Sequence, residues 1–223
     1  MKLTIIGFGE AGHAIAQGLR EEAQAPEISC FDIKTLDPSQ SDAISQAATS
    51  LGVRNCTTLE EAVDGAAFLI STVTAGSALD VAKAVSGLRP TAQAFFDMNS
   101  VAPGTKRTEA ELLESAGVAY VDTAVMAPIH PRLHKTPMLL AGPNAETFAA
   151  ILSAWNMDVR VVGEAVGRAS SIKMLRSVMI KGLEALTAEM GLAAEKAGVS
   201  DEVISSLNAS FPGIDWAERT AYN

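Results

Sequence analysis

Positive charge is in short supply in this chain. Lysine and arginine together number 17 against 26 aspartates and glutamates, a net charge of −9. A phosphodiester partner needs clustered cations, so nucleic acid is excluded as the expected ligand. Cysteine is scarce as well. Cys30 and Cys56 show neither metal-ligand spacing nor a paired framework, which excludes a disulfide-held scaffold and makes a reducing cytoplasm the expected setting. The three histidines, His13, His130 and His134, are scattered, and so few ligands give no reason to expect a metal. No uncharged apolar run reaches the ~18–20 residues that span a bilayer, so no membrane association is expected. In the opening MKLTIIGFGE, glycines fall where a secretory signal needs an unbroken apolar core. Repeats and low-complexity tracts are absent from the sequence too.

What is there suits a sizeable core. Hydrophobic residues make up 48% and charged residues 19% of 223 positions, enough for one large domain or a domain with a smaller helical piece. Up to residue 163, short apolar runs alternate with amphipathic ones, the pattern of βα units around a parallel sheet. The strands predicted are Leu3–Gly7, Glu27–Asp32, a weak one near Val53–Cys56, Phe68–Thr72, Ala94–Met98 and Ala119–Asp122. Helices are predicted at His13–Glu22, Ala43–Leu51, Leu59–Gly65, Leu79–Leu88 and Lys106–Ala116. Two further extended runs, Pro137–Ala141 and Val159–Val162, flank a helical stretch Ala145–Trp155 and should add strands at the sheet edge. GEAVG at 163–167 then breaks the pattern. Beyond it, a helix capped by Ser170 or Ser171 should run to about Lys196 and end at Gly198. A last helix should begin at Ser200–Glu202 and meet an interruption at FPG, 211–213. The fold class expected is α/β: a doubly wound, Rossmann-type sheet over 1–163 followed by an all-α segment over 164–223.

The segment TIIGFGEAGHAIAQGL carries the most specific signal. Gly7, Gly9 and Gly12 follow an apolar strand and open a helix. Gly7 permits a tight turn, Gly9 lets the backbone approach a pyrophosphate, and Gly12 lets helix and strand pack closely. The helix N-terminus offers unpaired N–H groups to the anion. Such a triplet can also be a plain turn in an unrelated α/β protein, but the strand-to-helix context supports a dinucleotide. Gly7, Phe8, Gly9, Glu10, Ala11 and Gly12 are the expected cradle. Asp32 stands twenty positions past Gly12, where a carboxylate accepts from the adenosine ribose hydroxyls and repels a 2′-phosphate. NAD is therefore preferred as cofactor, with nearby Lys34 leaving NADP open. Thr74, in the loop after the strand ending near Thr72, is a weak candidate for lining the nicotinamide side, and Asp97 reads as structural.

A second stretch, SIKMLRSVMIKG at 171–182, poses a question. Ile172, Leu175, Met179 and Leu183 mark one face of a helix, while Lys173 and Arg176 share another. On local pattern alone both charges read as solvated, since buried lysines are rare.

With these residues in hand, the chain resembles the β-hydroxyacid dehydrogenases, the superfamily of 3-hydroxyisobutyrate and 6-phosphogluconate dehydrogenases, and within it a branch with a DUF1932-type C-terminal domain. The likeness rests on the glycine fingerprint, on DMNSVAP at 97–103, on VDTAVMAPIHP at 121–131 and on GEAVGRASSIKMLRS at 163–177. It implies that Lys173 is the catalytic general acid/base. A lysine can take the hydroxyl proton as hydride leaves the carbinol carbon, provided it is neutral part of the time. Desolvation and a nearby cation, for which Arg176 is the candidate, both push its pKa down. The resemblance further implies that Asn99, Ser100, Met126, His130, Arg176 and Ser177 line the substrate side, with Arg176 as a carboxylate anchor. His130 reads equally well as a loop residue between prolines.

The departures are also informative. Arg176 and Ser177 stand where the family has an asparagine. Met126, Ala127 and Pro128 replace a serine and two glycines, and Asn99 and Ser100 replace a Ser-Thr pair. The substrate of a known relative is therefore not carried over. Family members continue through more helices. The helical piece here, about sixty residues long, would bury little apolar surface alone, so a homodimer is expected. The leading function is an NAD(P)-dependent oxidoreductase interconverting a small β-hydroxyacid and its oxo form. The alternatives are an imine or ketone reductase on the same scaffold, against which the lysine counts, and a non-catalytic NAD(H)-binding sensor.

Overall fold

The computed structural model describes residues 1–216, 218 and 220. The chain divides into two compact units, Met1–Lys173 and Met174–Asn223. The first is built on eight strands: β1 (Lys2–Ile6), β2 (Glu27–Phe31), β3 (Arg54–Asn55), β4 (Phe68–Ser71), β5 (Ala94–Asp97), β6 (Ala119–Val125), β7 (Met138–Ala141) and β8 (Val159–Val161). They form one sheet in the order β3-β2-β1-β4-β5-β6-β7-β8. Every pairing is parallel except β6 with β7. The chain leaves β1 toward one edge and returns to β4 on its other side, so the strand order reverses at β1. A crevice at the carboxyl ends of strands beside such a reversal is where ligands of open α/β sheets bind.

The strands read as nearly unbroken apolar runs because both faces are covered. Successive side chains alternate between the faces. Leu3, Ile5, Ile28, Ile70 and Phe96 face one layer, packed with Ile15 and Leu19 of α1 (Glu10–Arg20) and with Phe148 and Leu152 of α6 (Ala145–Ala154). Ile6, Leu69, Phe95 and Tyr120 face the other, against Ala82 and Val85 of α4 (Ala78–Leu88) and Ala110 and Leu113 of α5 (Pro103–Ser115). The remaining helices of this unit are α2 (Ser41–Ser50) and α3 (Leu59–Val63). Cys30 and Cys56 are buried free thiols in different layers, and burial pushes Cys30 up to about 12.

Four boundaries differ from the sequence reading for identifiable reasons. Helix α1 starts at Glu10 and not His13, and α5 at Pro103 and not Lys106, because their polar first turns carry no apolar period; proline at the first helical position loses no hydrogen bond. Strand β6 continues to Val125 because β7 pairs antiparallel with Asp122–Val125. The fourth difference bears on the site. Helix α7 (Arg168–Ala197) begins before Ser170 and Ser171, so neither serine is its cap. Their hydroxyls donate back to the Gly167 carbonyl at 3.1 and 2.6 Å. The acceptor for the first amides is Asp122, from strand β6.

The second unit contains the rest of α7 and α8 (Ser200–Ser210). Gly198, at φ 68°, makes the turn between them in the left-handed region that glycine tolerates. Helix α8 stops just before Phe211, as FPG predicts. Thr187, Ala194 and Trp216 are buried, whereas Leu175, Val178, Met179, Leu186 and Leu192 of α7 are exposed. Among the described residues, no helix is long and apolar enough to cross a membrane.

Candidate active site

Each glycine of the first loop occupies a position with its own steric demand. Gly7 has φ 90°, and a Cβ there would lie 2.7 Å from the Thr72 carbonyl oxygen. A Cβ on Gly12 would come 2.2 Å from the Gly7 carbonyl oxygen and meet the Thr72 hydroxyl as well. Gly9 is the opposite case: a Cβ would meet nothing within 4 Å. Gly9 and Glu10 are exposed, and Gly9 precedes α1 without any side chain capping its first amides. Helix N-terminal N–H groups thus face open space over a residue with no side chain, which is the shape a pyrophosphate needs. The loop fits the phosphates of a dinucleotide.

Asp32 follows β2 and is nearly buried. Its Oδ2 accepts from the Phe8 amide at 2.7 Å and its Oδ1 from the Lys34 amide at 2.9 Å. A carboxylate offers about four lone-pair sites, so two bonds fix its orientation and leave acceptor capacity for ribose hydroxyls. Phe8 is buried and packs edge-on against His13 at 5.7 Å. Ala11 is half-buried in the first turn of α1.

A chain of contacts leads from this loop along the carboxyl edge of the sheet. The Thr72 hydroxyl donates to the Gly7 carbonyl at 2.7 Å. Next to Thr72, the Ser71 Oγ accepts from Asn99 Nδ2 at 2.9 Å. Asn99 is buried and its Oδ1 has no partner, an acceptor waiting for a donor. The next residue, Ser100, accepts a 2.7 Å hydrogen bond from Lys173 Nζ. Lys173 is half-buried, and its pKa lies below the ordinary lysine value, through burial first and the charge of Lys106 second. Lys106 is thus a cation that acts on it.

Behind Ser100 and Lys173 lies a buried charge cluster. Lys106 Nζ is 2.9 Å from Asp97 Oδ2 and 3.7 Å from Asp122 Oδ1, with all three side chains at most 1% exposed. It also donates to the Asp97 carbonyl at 2.7 Å. The Tyr120 hydroxyl lies 2.6 Å from Asp97 Oδ2 and 2.8 Å from Glu109 Oε2. One hydroxyl hydrogen cannot serve two carboxylates, so Glu109 must bring its own proton and donate to the tyrosine oxygen. Its pKa agrees: burial, then the neighbouring Asp97, push Glu109 up to about 8. Asp97 ends below the ordinary carboxylate range: burial pushes it up, but the Lys106 ammonium, the neighbouring neutral Glu109 and the hydrogen bond from Tyr120 outweigh that. Lys106, Glu109, Ala110 and Leu113 follow the spacing of the buried face of α5. Two ionisable residues on an otherwise apolar face were the available signal for this cluster.

The other sequence candidates divide between the two units. Thr74 is exposed and shares a 3.0 Å contact with Ser77. Met126 is half-buried at the end of β6, and His130 is exposed in the following loop. Arg176 and Ser177 belong to the second unit. His134 is buried, bonded to Glu22 at 3.0 Å. The described residues hold no cluster of three or more metal-ligating side chains.

Residues 2–160 match the NAD binding domain of 6-phosphogluconate dehydrogenase. The chain belongs to that family. A curated relative, an uncharacterized 28.5 kDa protein of Methanothermus fervidus, is 31% identical over 211 residues, covering 93% of this chain and 76% of its own. Two solved structures lie similarly near. A conserved hypothetical protein from Sinorhizobium meliloti 1021 has 37% identity and a TM-score of 0.79, over 97% of this chain and 72% of its own. The conserved protein MTH1747, of unknown function and structurally similar to 3-hydroxyacid dehydrogenases, has 28% identity and a TM-score of 0.78, over 99% and 80%. At lower identity the likeness is one of fold. A Mycobacterium tuberculosis 3-hydroxyisobutyrate dehydrogenase with L-serine shares 18% over 97% of this chain and 72% of its own, with a TM-score of 0.78. An imine reductase variant from Myxococcus stipitatus with NAD+ shares 20% over 94% and 72%, with a TM-score of 0.72. Membership of the family supports a nicotinamide dinucleotide as the occupant of the glycine loop.

Proposed function

We propose that this family member is an NAD(H)-dependent oxidoreductase interconverting a small β-hydroxyacid and its oxo form, with Lys173 as general acid/base. The observation that carries the reading is the Lys173–Ser100 hydrogen bond, 2.7 Å long, at the end of the contact chain that begins at the cofactor loop. A nicotinamide, when bound, exchanges hydride with the substrate carbon. The protein's part is the proton. In oxidation, neutral Lys173 accepts the hydroxyl proton. In reduction, its ammonium returns one to the carbonyl oxygen. Because burial and Lys106 lower its pKa, the amine is available as a base at a lower pH than an ordinary lysine. Ser100 holds the amine in place before substrate arrives, and the unpartnered Asn99 Oδ1 is suited to accept from a carboxamide or hydroxyl of the bound pair.

Asp32 supports NAD over NADP, since its fixed carboxylate would repel a 2′-phosphate. Arg176 serves in this reading as the carboxylate anchor, with Met126, His130 and Ser177 as further substrate contacts and Thr74 beside the nicotinamide. The exposed Leu175, Val178, Met179, Leu186 and Leu192 support a homodimer, because a single chain leaves them in water.

The test is NADH consumption across a panel of β-oxo acids and cyclic imines, with NADH binding measured in parallel. Turnover of oxo acids supports the reading. Turnover confined to imines would transfer the site to reductase chemistry, and tight NADH binding with no turnover would favour a sensor.

A further inference from the structure

We propose that Lys106 is the positioning residue for the Lys173–Ser100 pair: a single buried ammonium ties together the two chain segments that carry its members. The inference rests on the reading of Lys173 as the proton carrier and extends it to a residue that touches neither substrate nor cofactor.

The geometry is that of a bracket. Asp97 and Asp122 are directly opposite each other on the adjacent strands β5 and β6. Two buried carboxylates so placed repel, and the Lys106 ammonium lies within 2.9 Å of one and 3.7 Å of the other. Each aspartate presents one oxygen to this cation and the other to the site. Asp97 Oδ1 accepts from the Asn99 amide at 2.9 Å, which fixes the turn that delivers Ser100. Asp122 Oδ2 accepts from the Gly167 amide, the Ser170 amide and the Ser170 hydroxyl at 3.0, 3.1 and 3.2 Å. Those three bonds hold the first turn of α7, one turn before Lys173. Two bonds at Asp97 do not involve Lys106: Tyr120 donates to the Asp97 carboxylate, and neutral Glu109 donates to Tyr120. Lys106 also supplies the like charge that adds to burial in lowering Lys173. Position and charge of the amine therefore depend on the same side chain.

The test reads Lys173 directly. Competitive acetylation across a pH series, followed by peptide mass spectrometry, gives the labelling midpoint of Lys173 with exposed Lys83 as internal reference. It requires no turnover. In Lys106→Met, the Lys173 midpoint should rise toward that of Lys83 by about half a pH unit or more. NADH affinity should stay within about threefold, and kcat should fall about tenfold or more with a smaller change in KM. Loss of a buried cation can prevent folding, so Lys106→Met/Asp97→Asn is the second variant. It removes the opposed charges together, keeps an amide oxygen for the Asn99 turn, and should shift the midpoint in the same direction. A folded variant of either kind with the parent's Lys173 midpoint and kcat would overturn the proposal. If the midpoint moves but the parent turns over no substrate, the positioning role stands and the oxidoreductase reading fails. If Lys173→Ala abolishes turnover while neither Lys106 variant changes midpoint or rate, the reverse holds.

Discussion

The glycine loop and the Lys106 cluster lie in the same unit but are built on opposite principles. The loop is backbone. Its chemistry comes from amides at a helix start, and its residues are chosen for what they lack. The cluster is side chain. Asp97, Lys106, Glu109, Tyr120 and Asp122 come from two strands and the helix between them, and Asp122 holds the first turn of α7, which starts 46 residues beyond it. The contrast teaches how each can fail. A steric error breaks the loop at one atom, whereas the cluster redistributes its hydrogen bonds and charge.

The largest expected effect is therefore steric. Gly12→Ala places a Cβ 2.2 Å from the Gly7 carbonyl oxygen. It should cost about 3 kcal/mol by denaturant unfolding and abolish NADH binding. Gly9→Val should separate fold from function at the next position that matters. Nothing crowds a Cβ there, so stability should stay within about 0.5 kcal/mol of the parent, while NADH affinity falls about tenfold to a hundredfold by fluorescence titration. Unchanged affinity would show that no phosphate sits over Gly9. Asp32→Asn should keep the acceptor for the Phe8 amide while removing the charge, and should shift the NADH-to-NADPH affinity ratio about tenfold toward NADPH.

Within the cluster, Glu109 should respond more gently and through pH. Glu109 binds its proton more tightly folded, at about 8, than unfolded, near 4.5. The folded state thus holds more protons in that window, and this contribution to stability is complete below about 4.5 and lost as pH rises toward 8. Glu109→Gln keeps a donor for Tyr120. It should flatten that part of the stability–pH curve and change stability at pH 5 by no more than about 1 kcal/mol. A slope as steep as the parent's would mean that Glu109 is ionised in the folded state.

The same contrast explains what could be read before any coordinates. The strands follow from alternating apolar runs, and the cradle from three glycines at fixed spacing, because both are local patterns. Strands β1, β2, β4 and β5 end within one residue of their predicted limits. The start of α7 was misplaced because its cap, Asp122, comes from another strand, and no spacing near Ser170 could reveal it. From the sequence, Lys106 is only the first residue of the predicted helix Lys106–Ala116, since the local pattern does not show that its side chain is buried.

Proton transfer in the proposed reaction depends on the amine at position 173. The most direct measurement compares Lys173→Ala with the parent for NADH affinity and for turnover against pH. Unaltered NADH binding, with turnover down by about 10²–10⁴, is the predicted result. The parent's oxo-acid reduction should also fall with rising pH through a midpoint below the ordinary lysine value, as the ammonium is lost. A Lys173→Ala protein that binds NADH and turns over at the parent's rate would contradict the account.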